Sequence, residues 1–503
     1  MAGCTPGSSS ASSGGGPGGS GATGTSASEA SLHWAACGSA GGPAMRCGRI
    51  SVPLNYADAG GRKITLALTE VPATAPASQR QGILLVNPGG PGASGTSMAG
   101  FVAQGLSRSV ASRYDIIGFD PRGVGASVPS IHCEPSFFAR ARPNYIPASA
   151  AAEQVMVNRA KTYAADCEKK YGWLLPYMTT ENVARDMDQI RAAMGQSKLS
   201  YLGYSYGTYI GQVYATLFPR RVHRMVLDST VDPDGVWYND NIAQDYAFQG
   251  RMNAFLAWTA KYDGLYKLGA TSAQVSKSWY EARARLAAHP IKNSAGVPVI
   301  GADEYDDTML IGGYDNGYWP SLAAALATYL HVGGTGQLMT LYNQVGKQSE
   351  NEFAVYNAVE CADVAWPRNW AKWNTDVRRV YSTAPVEAWD NLWFNASCAY
   401  WPVHGPAHAL TIGARGLPGI LMLQGTLDAA TPYAGAQDAH RRLPTARMVV
   451  VEGGGNHGQS LAYPPNNCVN GYLNRYLATG ALPSKPGLVN ATCPALPAPV
   501  PSG

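Results

Sequence analysis

The sequence predicts an α/β fold, with a mostly parallel sheet, helices on both faces, and an inserted helical cap rich in aromatic residues. Three observations predict it. Short continuous apolar runs bounded by Gly and Pro recur along the chain, as strands buried on both faces of a parallel sheet require. Helical patterns alternate with these runs, as in successive strand–helix–strand units. The rhythm breaks near residue 236 and resumes near 402, and ten of the 12 Trp fall in that interval.

Each element follows in order. Residues 5–30 are almost wholly Gly, Ser, Ala, Thr and Pro. Such a tract has too little apolar surface to order itself, so 1–31 is expected to be a flexible tether. A first part of the core is expected over 32–235. Residues 49–54 and 63–71 read as strands, the second alternating with period two as a half-buried strand does. The runs 82–87, 114–120, 199–203 and 225–228 read as central strands. Residues 182–194 read as a helix, with apolar side chains at 183, 187, 190 and 194, Thr180 as its cap and Gly195 as its end. The cap is expected over 236–401. Strand-like runs at 419–424 and 446–451 restore the core over 402–503.

Composition narrows the function. Of 503 residues, 46% are hydrophobic, enough for a sizeable core, and only 14% are charged. The net charge is +4 with no basic block, which argues against a nucleic-acid partner. No run of 18 apolar residues is present, which argues against a helical membrane span. No C-x-x-C pair occurs, so neither a zinc site nor a dithiol redox motif is expected, and no metal or cofactor is called for. Of the nine cysteines, eight remain once Cys4 is set aside, an even number typical of secreted frameworks. They allow ~105 connectivities. The simplest pairs neighbours: Cys37–Cys47, Cys133–Cys167, Cys361–Cys398 and Cys468–Cys493. Free buried thiols are the alternative. Cys4 follows small residues and precedes the Gly/Ser tract, which resembles the cleavage box of a bacterial lipoprotein. That resemblance implies a lipid anchor at Cys4 and a secreted protein held on the outer face of a cell membrane.

The chemistry centres on Gly203-Tyr204-Ser205-Tyr206-Gly207, a G-x-S-x-G pattern with a strand before it and a helical pattern after it. A serine hydroxyl is a weak nucleophile near neutrality and needs a base, and the base needs an orienting acid. His457 lies in a Gly-rich loop after the run 446–451 and is the candidate base. His440, in a polar helical stretch, is expected on the surface. Asp428, on the turn after 419–424, is the candidate acid, with Asp228 and Glu452 as competitors. Backbone N–H groups must meet the developing oxyanion. One is expected from Tyr206, and the other from Gly89 or Gly90 in Asn87-Pro88-Gly89-Gly90-Pro91-Gly92.

Together with Asp120-Pro121-Arg122-Gly123-Val124-Gly125-Ala126-Ser127, these residues resemble the α/β-hydrolase superfamily. Pro88–Gly92 is similar to the H-G-G-P-G of proline iminopeptidases, with Pro88 where their His stands. More closely, 87–95, 120–127, 203–208, the Cys361 region, 398–402, 425–432 and 456–458 resemble secreted tripeptidyl aminopeptidases. The resemblance implies an α/β-hydrolase fold and a serine exopeptidase that releases tripeptides or dipeptides from free N-termini of peptide substrates. It also implies acidic cap residues that receive the substrate's α-ammonium group. Glu360 and Asp363, beside Cys361, are the candidates, ahead of Glu350 and Glu352. Two other readings remain open: an esterase or amidase for a small non-peptide substrate, and a lipoprotein binding module with a dead site. The complete Ser–Asp–His set argues against the last.

Overall fold

A computed structural model describes residues 32–37 and 43–501. Cys4 and the tract around it lie outside the described residues. Ten strands form one sheet in the order β1-β2-β3-β5-β4-β6-β7-β10-β11-β12. They are β1 (Ala35–Ala36), β2 (Arg46–Pro53), β3 (Lys63–Val71), β4 (Ile83–Asn87), β5 (Asp115–Phe119), β6 (Leu199–Tyr204), β7 (Val222–Asp228), β10 (Ile420–Gly425), β11 (Ala446–Glu452) and β12 (Ala491–Pro494). Strands β8 (Ile291–Lys292) and β9 (Pro298–Ile300) form a separate small hairpin. The pairs β1–β2, β2–β3 and β3–β5 are antiparallel, and every later pair in the order is parallel.

The apolar runs occupy the middle of this sheet. Every residue of β4, β6 and β10 is buried, which explains why those segments carry no polar alternation. Strand β3 differs from its half-buried expectation, because Leu66–Glu70 are all buried. Leu66 and Leu68 enter the main core, while Thr69 on the other face donates to the Thr96 carbonyl and Glu70 pairs with Arg46. The expected helix over 182–194 runs from Thr180 to Ala193, and its cap is Thr179, whose hydroxyl accepts the Asn182 N–H.

From Tyr238 to Ala399 the chain is almost entirely helical. Its buried side chains divide into two groups. Met252, Phe255, Trp258, Trp279, Tyr305, Trp319 and Tyr342 belong to a core of their own. Phe353, Trp366, Trp373, Trp389, Trp393 and Trp401 pack into the same core as the sheet and the helices on that face. Trp366, Trp373, Trp370, Trp393 and Trp389 stack in sequence, with ring centroids 5.3–6.1 Å apart.

Four disulfides join Cys37–Cys47, Cys133–Cys167, Cys361–Cys398 and Cys468–Cys493. The third ties the helix Glu350–Asp363 to the turn Ala396–Ala399, and the fourth ties the helix Asn467–Thr479 to the edge strand β12. Among the described residues no helix is long and apolar enough to cross a membrane.

Candidate active site

Strand β6 delivers Ser205 at its carboxyl end, where the chain turns into the helix Tyr206–Leu217. Ser205 has φ 56° and ψ −130°, a conformation that L-residues adopt only under constraint. Its backbone N–H donates to the Asp228 carbonyl at 3.1 Å, and its carbonyl accepts the Thr208 N–H and hydroxyl. Positive φ is carried by the serine, and the flanking glycines serve close approach. A Cβ on Gly203 would stand 2.4 Å from the Gly207 carbonyl oxygen, and one on Gly207 would stand 2.8 Å from Asn87 Oδ1.

The turn after β4 runs directly beneath this elbow. A Cβ on Gly89, at φ +103°, would lie 2.8 Å from Ser205 Cβ. The Gly89 N–H is already engaged, donating to Asn87 Oδ1 at 2.9 Å. Gly90, whose amide carries no such bond, lines the cavity that also holds Ser205 and Tyr206. Tyr206 is the first residue of its helix, where N–H groups have no partner within the helix.

Asp428 follows β10 and His457 follows β11. The His457 Nδ1–H donates to both oxygens of Asp428, at 2.9 and 3.0 Å. Asp428 is buried and also accepts the N–H and hydroxyl of Thr431 at 3.1 Å each. Burial of the imidazole pulls its pKa down, but the Asp428 carboxylate, helped by Asp228, outweighs this and holds it above the usual value. The competitor Asp228 does not touch the ring. It accepts the backbone N–H groups of Gln459 and Ser460 and the Ser460 hydroxyl. Glu452, at the end of β11, is exposed. His440 is buried rather than on the surface, and its Nε2–H donates to the Ala446 carbonyl at 2.9 Å. The helix Tyr433–Arg442 lays Ala436 and Ala439 on the core, and that face carries His440 inward.

Ser205 and His457 open into a cavity of about 510 Å³, walled on the sheet side by the 88–93 loop, Val231, Asp232 and residues 430–432 and on the other side by the helical segment. Glu360 lines it, with Asn241 Nδ2 at 3.5 Å from Oε2, and burial holds its pKa well above the usual range. Glu352 lines it too and is raised by burial. Asp363 is not there. Its carboxylate accepts the N–H and hydroxyl of Thr180 and the Trp237 indole N–H, and it faces a different cavity, beside Tyr56 and Arg185. Glu350 is likewise occupied, by the Cys133 and Glu134 N–H groups, the Tyr163 hydroxyl and His132.

Five acids escape the sequence reading: Asp232, Asp240, Asp307, Glu387 and Asp390 all line the Ser205 cavity. Glu387 is 7% exposed, and its Oε2 is buried with no hydrogen-bond partner. Burial first, then the neighbouring Asp245 and Asp390, push its pKa well up. Burial also raises Asp390, with Asp307 adding to it. Glu387 caps the helix Ala388–Asn395 and Asp390 lies in its first turn, and this three-residue spacing was the available signal. Unpaired carboxyls in a shared cavity either keep their protons or take up a cation. Among the described residues no three His, Cys, Asp or Glu side chains gather so as to hold a metal ion.

A family model described as the alpha/beta hydrolase fold matches residues 82–462. A tripeptidyl aminopeptidase of Streptomyces coelicolor is 40% identical over 470 residues, covering 90% of this chain and 85% of the relative. The serine protease Hip1 of Mycobacterium tuberculosis is 31% identical, covering 90% of this chain and 89% of the relative. A protein named carboxylesterase B from the same species is also 31% identical, covering 87% of this chain and 85% of the relative.

Proposed function

The chain belongs to the α/β-hydrolase family, and from that premise we propose that it is a secreted serine exopeptidase releasing tripeptides or dipeptides from free N-termini. The observation that carries the reading is a single cavity in which the Ser205 elbow and the Asp428-paired His457 face cap carboxyls that have no cation of their own. Ser205 Oγ attacks the scissile carbonyl while His457 Nε2 takes its proton. His457 then protonates the leaving amine, and water repeats the sequence on the acyl-enzyme. Asp428 keeps the proton on Nδ1, leaving Nε2 free as the base, and stabilises the imidazolium. The N–H groups of Tyr206 and Gly90 receive the oxyanion, since the Gly89 N–H is committed to Asn87. Glu360, Glu387 and Asp390 receive the substrate's α-ammonium, which neutralises carboxyls that burial alone would leave protonated. Names of relatives, a tripeptidyl aminopeptidase and a serine protease, support peptide substrates. The four disulfides support an oxidising, extracellular compartment, and Cys4 supplies the lipid anchor in this reading.

The name of the third relative favours a second reading, an esterase on the same scaffold. A panel of di- and tripeptidyl anilides, free and N-acetylated, beside p-nitrophenyl esters tests the two. Preference for free-N-terminus anilides supports the exopeptidase. Ester turnover with no response to the N-terminus overturns it.

A further inference from the structure

The loop that carries His457 is bonded to the cap as well as to the sheet. Asn456 Oδ1 accepts the Asn316 N–H at 3.0 Å, and Asn456 Nδ2 donates to Asp315 Oδ1 at 3.0 Å. The backbone N–H of His457 itself donates to the Tyr314 carbonyl at 2.7 Å. The Tyr314 ring stands edge-on to the imidazole, with centroids 5.6 Å apart and planes at 80°. Three consecutive residues at the end of the helix Ala302–Tyr314 thus grip two consecutive residues of the loop. From the sheet side, Gly454 is held by Val451 and Leu427, Gly458 by Ser229, and Gln459 and Ser460 by Asp228. Between Gly454 and Gly458 the main-chain N–H bond is the one to Tyr314. Arg251, over the Trp319 ring, closes the other side. A Cβ on Gly455 would meet its guanidinium, whose Nε–H donates to the Gly313 carbonyl at 3.3 Å.

We propose that Asn456 is a positioning residue through which the cap corner Tyr314–Asn316 orients His457, so that the base is aligned only while the cap is docked. The proposal rests on the reading of His457 as the general base. The Asp428 bonds fix one nitrogen of the ring but leave the ring free to rock about that contact. The backbone just before the ring sets where Nε2 points; the Asn456 side chain and the His457 N–H are held by the cap, while the Asn456 carbonyl accepts from Gln459 Nε2 on the sheet side. A misplacement of about 1 Å at a proton-transfer site can cost about a hundredfold in rate. The same helix supplies Asp307, Leu310 and Ile311 to the cavity wall, so substrate contacts and base alignment share one rigid element.

The experiment compares native enzyme with Asn456→Ala, Asp315→Ala and Asp315→Asn, using a tripeptidyl anilide and p-nitrophenyl acetate, which is too small to reach the cap. Melting temperatures within ~5 °C of native certify the fold, and Asp315→Ala stands in if Asn456→Ala fails to fold. Asn456→Ala and Asp315→Ala should lower kcat about 10- to 100-fold on both substrates with KM nearly unchanged. The acid limb of kcat/KM should move to lower pH as the ring loosens from Asp428. Asp315→Asn keeps an Oδ1 acceptor and should retain native rates. Unchanged acetate turnover together with a raised KM for the anilide would make Asn456 a wall of the substrate pocket and overturn the proposal. A His457→Ala control separates the two layers. If that variant stays active, the general-base reading fails. If it is inactive while Asn456→Ala has native rates, the positioning role alone fails.

Discussion

Asp228 Oδ2 accepts both the backbone N–H of Ser460 at 2.8 Å and its hydroxyl at 2.5 Å. This contact joins the end of β7, the strand beside the nucleophile's own, to the segment just past His457. The carboxylate is fully buried, and burial pushes its pKa up to about 6 against the pull of those hydrogen bonds. Asp228 therefore holds the loop's backbone while Asp428 holds the ring.

Asp228→Ala should strand three donors and destabilise the protein by at least about 2 kcal/mol. Because the folded pKa is raised, the folded state holds this proton more tightly than the unfolded chain. The stability difference, native minus variant, should then fall as pH rises from the ordinary 3.8 to about 6. Denaturant titrations across that window measure it, and a difference that rises with pH would contradict the assignment.

Ser205→Ala should cut kcat by ~10⁴ or more while leaving the melting temperature close to native. A purified variant with near-native turnover ends the acyl-enzyme reading.

The proposed mechanism needs neutral His457. Its pKa is held above the usual 6.5, so kcat/KM should fall as pH drops through a midpoint above that value. Asp428→Asn removes the carboxylate responsible and should move the midpoint down, with kcat lower by orders of magnitude. A pH–rate profile on both proteins checks the direction.

Glu387→Gln and Glu360→Gln should raise KM or lower kcat/KM about 10- to 100-fold for peptides with a free N-terminus, and much less for acetylated ones. Asp363→Asn, facing the other cavity, should show no such asymmetry. Equal losses on free and acetylated substrates for Glu387→Gln and Glu360→Gln would remove the ammonium role.

The parts legible in the sequence are those with local causes. Continuous apolar runs mark β4, β6 and β10 because no face of these strands meets water. Ser205, Asp428 and His457 each end or follow such a run, so their common location could be read from strand order. Glu387, Asp390 and Asp240 were missed because their convergence depends on how two helices, Tyr238–Lys261 and Ala388–Asn395, cross, which no local pattern encodes. Asp363 misled for the same reason. It sits three residues after Glu360 on one helix, yet Thr180 and Trp237 draw its carboxylate into another cavity. His440 misled because charged neighbours conceal that one face of its helix packs on the core.

The cavity acids Glu360, Glu387 and Asp390 also bear on what would happen after the chemistry. On the proposed exopeptidase reading the downstream chain would leave first, with its new amine. The short peptide would stay as the acyl group and, once hydrolysed, would still carry the ammonium proposed to sit against those carboxyls. It would gain a carboxylate beside the proposed oxyanion donors, the N–H groups of Tyr206 and Gly90, and so be gripped at both ends. Turnover on good substrates would then be limited by product departure, with the released peptide a competitive inhibitor. Small primary amines, amine buffers among them, should compete for the same acids.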